Sequence, residues 1–348
     1  MDSAERPRDE RLAVAVVGVG HLGRHHARLL KQVPGAELAA VVDSRLEQAQ
    51  AVAKDLGVPA FASADELPRG VKAVSVAVPT SLHHAVVCPL LERGLHVLVE
   101  KPMAATLDEA RGMARLAADR GVLLQVGHIE RFNPALGVLR ELHVTPRFIQ
   151  SERLAPFTYR ALDVSVVMDL MIHDIDIVMD LAGAPLTDVS AVGSPMLGRH
   201  VDIASARLSF ANGCVANLTA SRVSFEPMRR TRVFGADTFV SMDFNTRRAF
   251  VVRKAPGFAM GSLSQADAAR VPPKASFKEF IAQGLLDTRE IDMDEANPLL
   301  LELTAFVQAA RSGRPAGGWP RVASAEEGLR AMDVATRVGD LITAHRWP

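Results

Sequence analysis

The sequence has no surplus of either charge and very little cysteine. Forty Lys and Arg balance forty Asp and Glu across 348 residues, so no basic block points to nucleic acid or an anionic membrane as partner. Cys88 and Cys214 stand in apolar surroundings, which favours two buried thiols of a cytoplasmic protein over a disulfide. No run approaches the ~18 apolar residues of a membrane span. The charged start lacks the apolar core of a signal peptide, and residues 1–10 are predicted to form a flexible tail.

Short apolar runs alternate with amphipathic segments through the first third of the chain. Their continuous Val- and Leu-rich character is typical of strands buried on both faces of a parallel sheet. Such strands are predicted for LAVAVVG (12–18), ELAAVVD (37–43), KAVSVAVP (72–79), HVLVE (96–100) and VLLQVGH (122–128). Helices are predicted between them, over residues 20–33, 45–56, 82–93 and 106–120. Regular alternation predicts right-handed crossovers and therefore an open, doubly wound α/β sheet.

A glycine motif stands between the first strand and the first helix. GVGHLG places Gly18, Gly20 and Gly23 in the G-x-G-x-x-G spacing, with His21 and Leu22 between them. The first glycine permits a tight turn, the second lets the backbone approach a pyrophosphate, and the third lets the helix pack closely on the strand. The helix N-terminus then offers N–H groups to the phosphates. In this position the motif predicts a Rossmann dinucleotide-binding domain over residues 11–128.

The second strand ends in an acid that bears on the choice of dinucleotide. Asp43 stands about 20 residues beyond the motif, where a carboxylate can bind the adenosine ribose hydroxyls and would repel the 2′-phosphate of NADP. The same side chain can also cap the following helix. Ser44 and Arg45 come next and could hold a phosphate if Asp43 turned away. The sequence therefore favours NAD as cofactor and leaves NADP open.

The carboxyl ends of the later strands carry the next candidates, because ligands of such a sheet bind outside that edge. HVLVE reaches the edge at Glu100 and Lys101, and Pro102 ends the strand because it has no N–H to donate. We expect Lys101 to lie near the nicotinamide, where a lysine can exchange protons with a substrate. The alternative is a solvated lysine paired with Glu100. The predicted cofactor contacts at this edge are Pro79, Thr80, His83, Glu100 and Lys101.

A polar stripe interrupts the most apolar helix of the second half. Residues 161–183 are predicted to form one long helix ending at Gly183, with Asp169, His173 and Asp176 at i, i+4 and i+7 on one face. Buried polar groups without partners are costly, so three explanations stay open. Asp169 could hold His173 for purely structural reasons. His173 could transfer a proton at a substrate carbinol while Asp169 orients it. A shared metal ion is the third, although no further ligand of convincing spacing is found.

The remaining sequence predicts a second domain over residues 129–348, of the α+β class. Short alternating stretches from about residue 188, after an earlier strand at 147–155, indicate a large, mostly antiparallel sheet. One face is expected to carry helices and the other to meet a subunit partner in a homodimer or homotetramer. A loop is predicted over 255–278. Two late helices are predicted over 297–311 and 324–345.

Three of these features together resemble one family. VGVGHLG at the first turn, HVLVEKPMA around Lys101 and the Asp-x-x-x-His of residues 169–173 are similar to the glucose–fructose oxidoreductase, inositol dehydrogenase and rhizopine-catabolism oxidoreductase family. The resemblance runs from about residue 12 to the C-terminus. It implies an NAD(P)-dependent dehydrogenase acting on CH–OH groups, with Lys101 catalytic and with Asp169 and His173 at the substrate.

The resemblance also marks matches and departures near the nicotinamide. His83 stands where the family often has a histidine near that ring, whereas Thr80 stands where it often has asparagine. Residues 165–167 are Ser-Val-Val, where many members have glycines. These departures concern the cofactor contacts and the backbone near the substrate.

Within the family, GHIERFNPA together with DLMIHDIDI resembles the branch that oxidises the 3-hydroxyl of UDP-N-acetylglucosamine on the way to lipid A or surface polysaccharides. Such a substrate needs groups for a diphosphate, and a guanidinium fork suits phosphate. The predicted substrate residues are Arg131, Asn133, Arg153, Arg160, Asp169 and His173. An inositol or free-sugar dehydrogenase is the enzymatic alternative. A non-catalytic NAD-binding sensor or scaffold is the alternative of another class, and the presence of Lys101, Asp169 and His173 argues against it.

Overall fold

The computed structural model describes residues 11–157, 164–254, 286–293, 295–314 and 320–345. The predicted tail 1–10, the predicted loop 255–278 and the candidate residue Arg160 lie outside this described part of the chain. The chain divides into two units, of which the first comprises residues 1–133 and 296–336 and the second residues 134–295 and 337–348. The first unit is therefore assembled from two separate stretches of sequence.

A seven-stranded sheet forms the centre of the first unit. Its strands are β1 (Leu12–Val17), β2 (Ala36–Val42), β3 (Ala60–Phe61), β4 (Ala73–Val76), β5 (His96–Glu100), β6 (Leu124–Gly127) and a late edge strand, Ala323–Ser324. From one edge to the other the order is edge strand, β6, β5, β4, β1, β2, β3. All neighbours run parallel except the edge strand, which is antiparallel to β6. The predicted parallel, doubly wound sheet is confirmed.

Helices connect these strands close to where the sequence predicts them. They are α1 (Gly23–Leu30), α2 (Leu46–Leu56), α3 (His83–Glu92) and α4 (Leu107–Arg120). Thr106 caps α4, because its hydroxyl accepts from the N–H of Glu109 while the Glu109 carboxylate accepts from the N–H of Thr106. Gly57 and Gly121 end α2 and α4 in the left-handed conformation that glycine adopts without steric cost.

An eight-stranded sheet forms the second unit. Its strands are β7 (Phe148–Leu154), β8 (Leu186–Ser194), β9 (Ile203–Phe210), β10 (Val215–Ser221), β11 (Met228–Phe234), β12 (Thr238–Asp243), β13 (Arg248–Lys254) and β14 (Leu286–Asp292). The order is β14, β13, β12, β11, β7, β10, β9, β8. Only the central β7–β10 pair is parallel, which confirms the mostly antiparallel sheet.

Helices of the second unit pack on this sheet, and one of them differs from its prediction. α5 (Pro134–Glu141) contacts β12 and β13, and α6 (Ile172–Ala182) contacts β7 and β10. A π-helical turn, Val167–Met171, precedes α6. The prediction of one regular helix through this stretch is therefore wrong, because a π turn inserts an extra residue and shifts the side chains that follow it. Residues 161–163 lie outside the described part of the chain.

The chain returns to the first unit with α7 (Pro298–Ser312) and with most of α8 (Ala325–Ala344). α7 packs against α1, and its Leu303 and Phe306 are buried in the same core as Leu30 and Val14. Burying one such side chain stabilises the fold by roughly 1.5–3 kcal/mol. Within the described residues, no helix is both long enough and apolar enough to span a bilayer.

A buried charge cluster fixes the start of α8. Glu327 accepts from both Arg321 and Arg131 and from the N–H of Ser324. Burial alone would raise the pKa of Glu327, but hydrogen bonds from Arg321 and the charge of Arg131 outweigh it and lower that pKa from 4.5 to about 2. Because this side chain is only 12% exposed, solvent screens the interaction weakly.

The cluster predicts an acid-sensitive contribution to stability. A depressed carboxyl pKa stabilises the fold above pH 4.5, and the contribution is lost as pH falls from 4.5 through about 2. We expect Glu327→Gln to lower the free energy of unfolding by about 3 kcal/mol at pH 7 and to flatten its dependence on pH in this window. Urea unfolding at several pH values measures both. Glu92→Gln, at an exposed site, is the control and should behave as the parent protein.

Candidate active site

A cavity of about 860 Å³ in the first unit lies at the carboxyl ends of its parallel strands. Its walls come from the ends of β1, β2, β4 and β5, from the segment after β3 and from α3. The cavity brings together nine of the predicted cofactor residues: Gly18, Gly20, His21, Leu22, Asp43, Pro79, Thr80, Glu100 and Lys101. These residues span more than 80 positions of sequence, and strand direction alone gathers them at one edge.

The glycine loop is shaped by close backbone contacts. Gly18 has a φ of +84°, and a Cβ there would lie 2.8 Å from the backbone nitrogen of Val78. A Cβ at Gly23 would overlap the carbonyl oxygen of Gly18, so α1 can start this close to β1 only with glycine. Gly20 differs, since the nearest atom to its Cβ position is 3.8 Å away, on the Gln48 side chain. Gly20 thus leaves open the space that a pyrophosphate needs, and the loop fits a dinucleotide.

Asp43 is held firmly at the end of β2. Its Oδ2 accepts from the N–H of Val19 at 3.0 Å and from the side chain of Gln48 at 2.9 Å, while Oδ1 accepts from the N–H of Arg45 at 3.0 Å. Two carboxylate oxygens offer about four acceptor positions, so capacity remains for a ribose hydroxyl. The side chain of Arg45 is exposed, and its Nε is 3.9 Å from Oδ1.

The next predicted cofactor residue is His83. It is buried and does not line the cavity. Its Nδ1 lies 3.0 Å from the carbonyl oxygen of Pro102 and its Nε2 lies 3.0 Å from that of Val78. Burial lowers the pKa of His83, and the two carbonyl contacts oppose that shift. The ring therefore ties the loop after Lys101 to the segment after β4, and its contact with the cofactor stays a prediction.

In the second unit, the segment carrying Asp169 and His173 is anchored just before its π turn. Arg222 donates to the carbonyl oxygen of Val164 at 2.8 Å, and the N–H of Val166 donates to Val201 at 2.9 Å. Arg222 itself is paired with buried Asp202. Asp169 and His173 are partly buried, whereas Asp176 is buried. The anchors fix where the two candidate side chains start on the sheet.

A buried ion pair stands directly beside His173. Arg153 of β7 donates from Nε to Oδ2 of Asp174 at 2.8 Å and from Nη2 to Oδ1 at 3.1 Å. Ser151 also donates to Asp174, at 2.9 Å, and shares a contact of 2.8 Å with Thr231. Losing one member of such a pair typically costs 3–5 kcal/mol, because a buried charge loses its partner. Asp174, which the sequence reading did not single out, thereby pins the start of α6 to the sheet.

Two of the arginines predicted to bind a diphosphate have carboxylate partners within the protein. Arg153 gives its forked face to Asp174, and Arg131 is buried against Glu327 within the first unit. Their placement supports structural ion pairs, and we do not retain them as phosphate ligands. Asn133 is 3.4 Å from the carboxylate of Glu130. Arg160 is outside the described residues. Among the residues that the structure describes, no three His, Cys, Asp or Glu side chains are grouped for a metal ion.

A Rossmann sheet, a glycine loop and an acid at the end of β2 around one cavity define a nicotinamide-dinucleotide-binding oxidoreductase. Residues 12–128 match a family described as "Oxidoreductase family, NAD-binding Rossmann fold", and residues 133–240 match "GFO/IDH/MocA C-terminal domain". The chain belongs to this glucose–fructose oxidoreductase, inositol dehydrogenase and rhizopine-catabolism family. Its cofactor is accordingly NAD, as the sequence favours.

Among its relatives is the UDP-N-acetylglucosamine 3-dehydrogenase of Acidithiobacillus ferrooxidans, 38% identical over 305 residues, or 87% of this chain and 90% of that protein. A solved structure of that enzyme superposes with a TM-score of 0.82 at 35% identity and covers 96% of this chain and 98% of its own. The scyllo-inositol 2-dehydrogenase (NAD(+)) of Bacillus subtilis is 31% identical over 236 residues, or 62% of this chain and 69% of that protein.

The fixed carboxylate of Asp43 predicts discrimination against NADP. We expect the protein to bind NAD⁺ at least tenfold more tightly than NADP⁺, because Asp43 repels a 2′-phosphate. Asp43→Asn removes the charge while keeping one acceptor. It should lower the ratio of the Kd for NADP⁺ to the Kd for NAD⁺ by roughly tenfold. Calorimetric titration with each dinucleotide measures this. Tighter binding of NADP⁺ by the parent protein would show that Arg45, not Asp43, governs the site.

Proposed function

We propose that this chain is an NAD-dependent dehydrogenase that oxidises the 3-hydroxyl of UDP-N-acetylglucosamine to the 3-keto sugar nucleotide. The observation that carries the proposal is its 38% identity to an enzyme of that name over 87% of the chain. Lys101 in the cofactor cavity supports it, since Lys101 stands at the position that the family resemblance makes catalytic. Such a product would feed amination on the way to lipid A or a surface polysaccharide.

The proposed chemistry assigns proton transfer to this chain's own side chains. A bound nicotinamide supplies the hydride acceptor. Lys101 takes the proton of the substrate hydroxyl, with His173 assisting or substituting, and Asp169 orients the imidazole of His173. Because Arg131 and Arg153 are committed to internal carboxylates, Arg160 is the arginine proposed to meet the diphosphate.

A second candidate substrate is an inositol or a free sugar. The identity of 31% to a scyllo-inositol 2-dehydrogenase favours it, although the match covers only 62% of this chain. A third possibility, an NAD-binding sensor without chemistry, would require Lys101, Asp169 and His173 to have no catalytic use.

One titration separates these three proposals. Purified protein with NAD⁺ is offered UDP-N-acetylglucosamine, scyllo-inositol, myo-inositol and glucose in turn, and NADH absorbance is followed. We expect turnover with the nucleotide sugar and at least tenfold lower kcat/KM with the others. Preferential turnover of an inositol would establish the second candidate. Binding of NAD⁺ without turnover of any of them would favour the sensor.

The same assay tests Lys101. Lys101→Ala should lower kcat by about 10²–10⁴-fold, the usual effect of removing a general base or acid, while the Kd for NAD⁺ changes less than threefold. Lys72→Ala, at an exposed lysine just before β4, is the matched control and should leave both values unchanged. Near-normal turnover of Lys101→Ala would contradict the assignment.

We also propose that the protein is cytoplasmic and forms a homodimer or homotetramer through the second sheet. Ile149, Ser151 and Arg153 of β7 are buried, while the alternate residues of the strand, from Phe148 to Leu154, are only partly buried on the other face. That face also carries the ring contacts of Phe234 with Phe148 and Phe239. A monomer mass in analytical ultracentrifugation would contradict the assembly.

A further inference from the structure

A buried histidine in the first unit contacts the carboxylate beside Lys101. His26 belongs to α1 and has 0% of its surface exposed. Its Nδ1 lies 2.8 Å from the hydroxyl of Ser75 on β4. Its Nε2 lies 3.1 Å from Oε1 of Glu100, which is ion-pair distance, although the angles are not those of a hydrogen bond. The imidazole thus bridges the helix after the glycine loop and the end of β5.

The protonation of this bridge follows from its donors and acceptors. Ser75 can donate its O–H to Nδ1, which leaves the ring proton on Nε2 facing Glu100. In the opposite tautomer a lone pair of Nε2 would face the carboxylate, and two electron-rich atoms 3.1 Å apart would repel each other. In the first arrangement the Nε2–H faces a Glu100 oxygen, which is an acceptor. This arrangement places the ring proton towards Glu100 at 3.1 Å and the Ser75 hydroxyl on Nδ1, without a charge on the histidine.

The bridge is closed to solvent at its Ser75 end. Ser75 has 0% exposure and, like His26, gives no route to solvent. A proton relay needs solvent at its far end, so the geometry favours a role for His26 in holding Glu100 over a role in conducting protons. The role we assign to His26 is therefore that of a positioning residue.

Glu100 is also confined by the neighbouring strand β6. Gly127 of β6 is its partner across the sheet, and a Cβ at Gly127 would lie 3.0 Å from Oε1 and 3.3 Å from Oε2 of Glu100. The carboxylate therefore packs over a strand that has no side chain at this point. The ring of His26 and the backbone of Gly127 are both close to this carboxylate, and the Glu100 side chain is 14% exposed.

Glu100 lines the cofactor cavity at the β5 end. Asp43 marks the adenosine end at β2, and β4 and β1 separate it from β5, so Glu100 stands at the nicotinamide end. The oxidised nicotinamide ring is a cation and the reduced ring is neutral. A fixed negative charge attracts the first and not the second, more strongly in a partly desolvated cavity than in water.

We propose that His26 positions the Glu100 carboxylate, and that the pair makes this cavity favour NAD⁺ over NADH. The proposal concerns the cofactor alone and does not depend on the identity of the sugar substrate.

The test measures the ratio of the Kd for NADH to the Kd for NAD⁺ without substrate, by calorimetry. His26→Leu removes both contacts of the ring, and His26→Asn retains only an atom near the Nδ1 position. Both should lower the ratio by about tenfold, the effect expected for one contact to a charged group. His26→Gln keeps a donor near the Nε2 position and should stay within threefold of the parent. Rescue by glutamine separates positioning from simple packing.

Gly127→Ala provides an independent variant that leaves His26 intact. The new methyl group should displace the Glu100 carboxylate. It should therefore also lower the ratio of the Kd for NADH to the Kd for NAD⁺, by a smaller factor than His26→Leu does. Gly112→Ala in α4, where no atom lies within 4 Å of the Cβ position, and His200→Asn at an exposed site are the controls. Thermal melts verify that each variant is folded.

Two results would overturn the proposal. One is an unchanged ratio in folded His26→Asn, His26→Leu and Gly127→Ala. The other is equal weakening of NAD⁺ and NADH, which would assign His26 to the packing of α1. Neither result depends on turnover, so the proposed reaction with UDP-N-acetylglucosamine stands or fails separately.

Discussion

The contact between Gly23 and the carbonyl of Gly18 governs the first unit. No side chain fits between them, and this lets α1 begin directly against β1. Because α1 begins so close to β1, His26 of α1 contacts Ser75 and Glu100. A displaced α1 would therefore disturb two features together, the space for the pyrophosphate and the support of the carboxylate at the other end of the cavity. The space for a pyrophosphate and the proposed role of Glu100 both depend on one backbone approach.

Most of the first unit could be predicted because its patterns are local. Apolar runs ending at a glycine or an acid locate strands, and parallel direction then gathers their ends at one edge. That reasoning was sufficient to group Gly18, Asp43, Thr80, Glu100 and Lys101 around one cavity. Strands of two residues, such as Ala60–Phe61, were missed because their sequence contains no period to recognise.

What the sequence could not supply was the partner of each buried polar side chain. Arg131 and Arg153 are residues of the type that binds phosphate. In the folded chain, however, their guanidinium groups donate to the carboxylates of Glu327 and Asp174. His83 and His26 are both helix residues near the ligand edge, but only the distances show that one holds carbonyl groups and the other a carboxylate. The π turn before α6 was equally hidden, because its residues suit an ordinary helix.

The placement of α7 bears on how the chain is made. Leu303 and Phe306 complete a core whose other members, such as Leu30, are translated nearly three hundred residues earlier. During synthesis, the core of the first unit therefore stays incomplete until the strands of the second sheet and then α7 have been made. The eight strands of the second unit, in contrast, all come from one continuous stretch between residues 148 and 292. Until α7 has been made, the apolar surface that it covers stays exposed, and such surface is what chaperones bind.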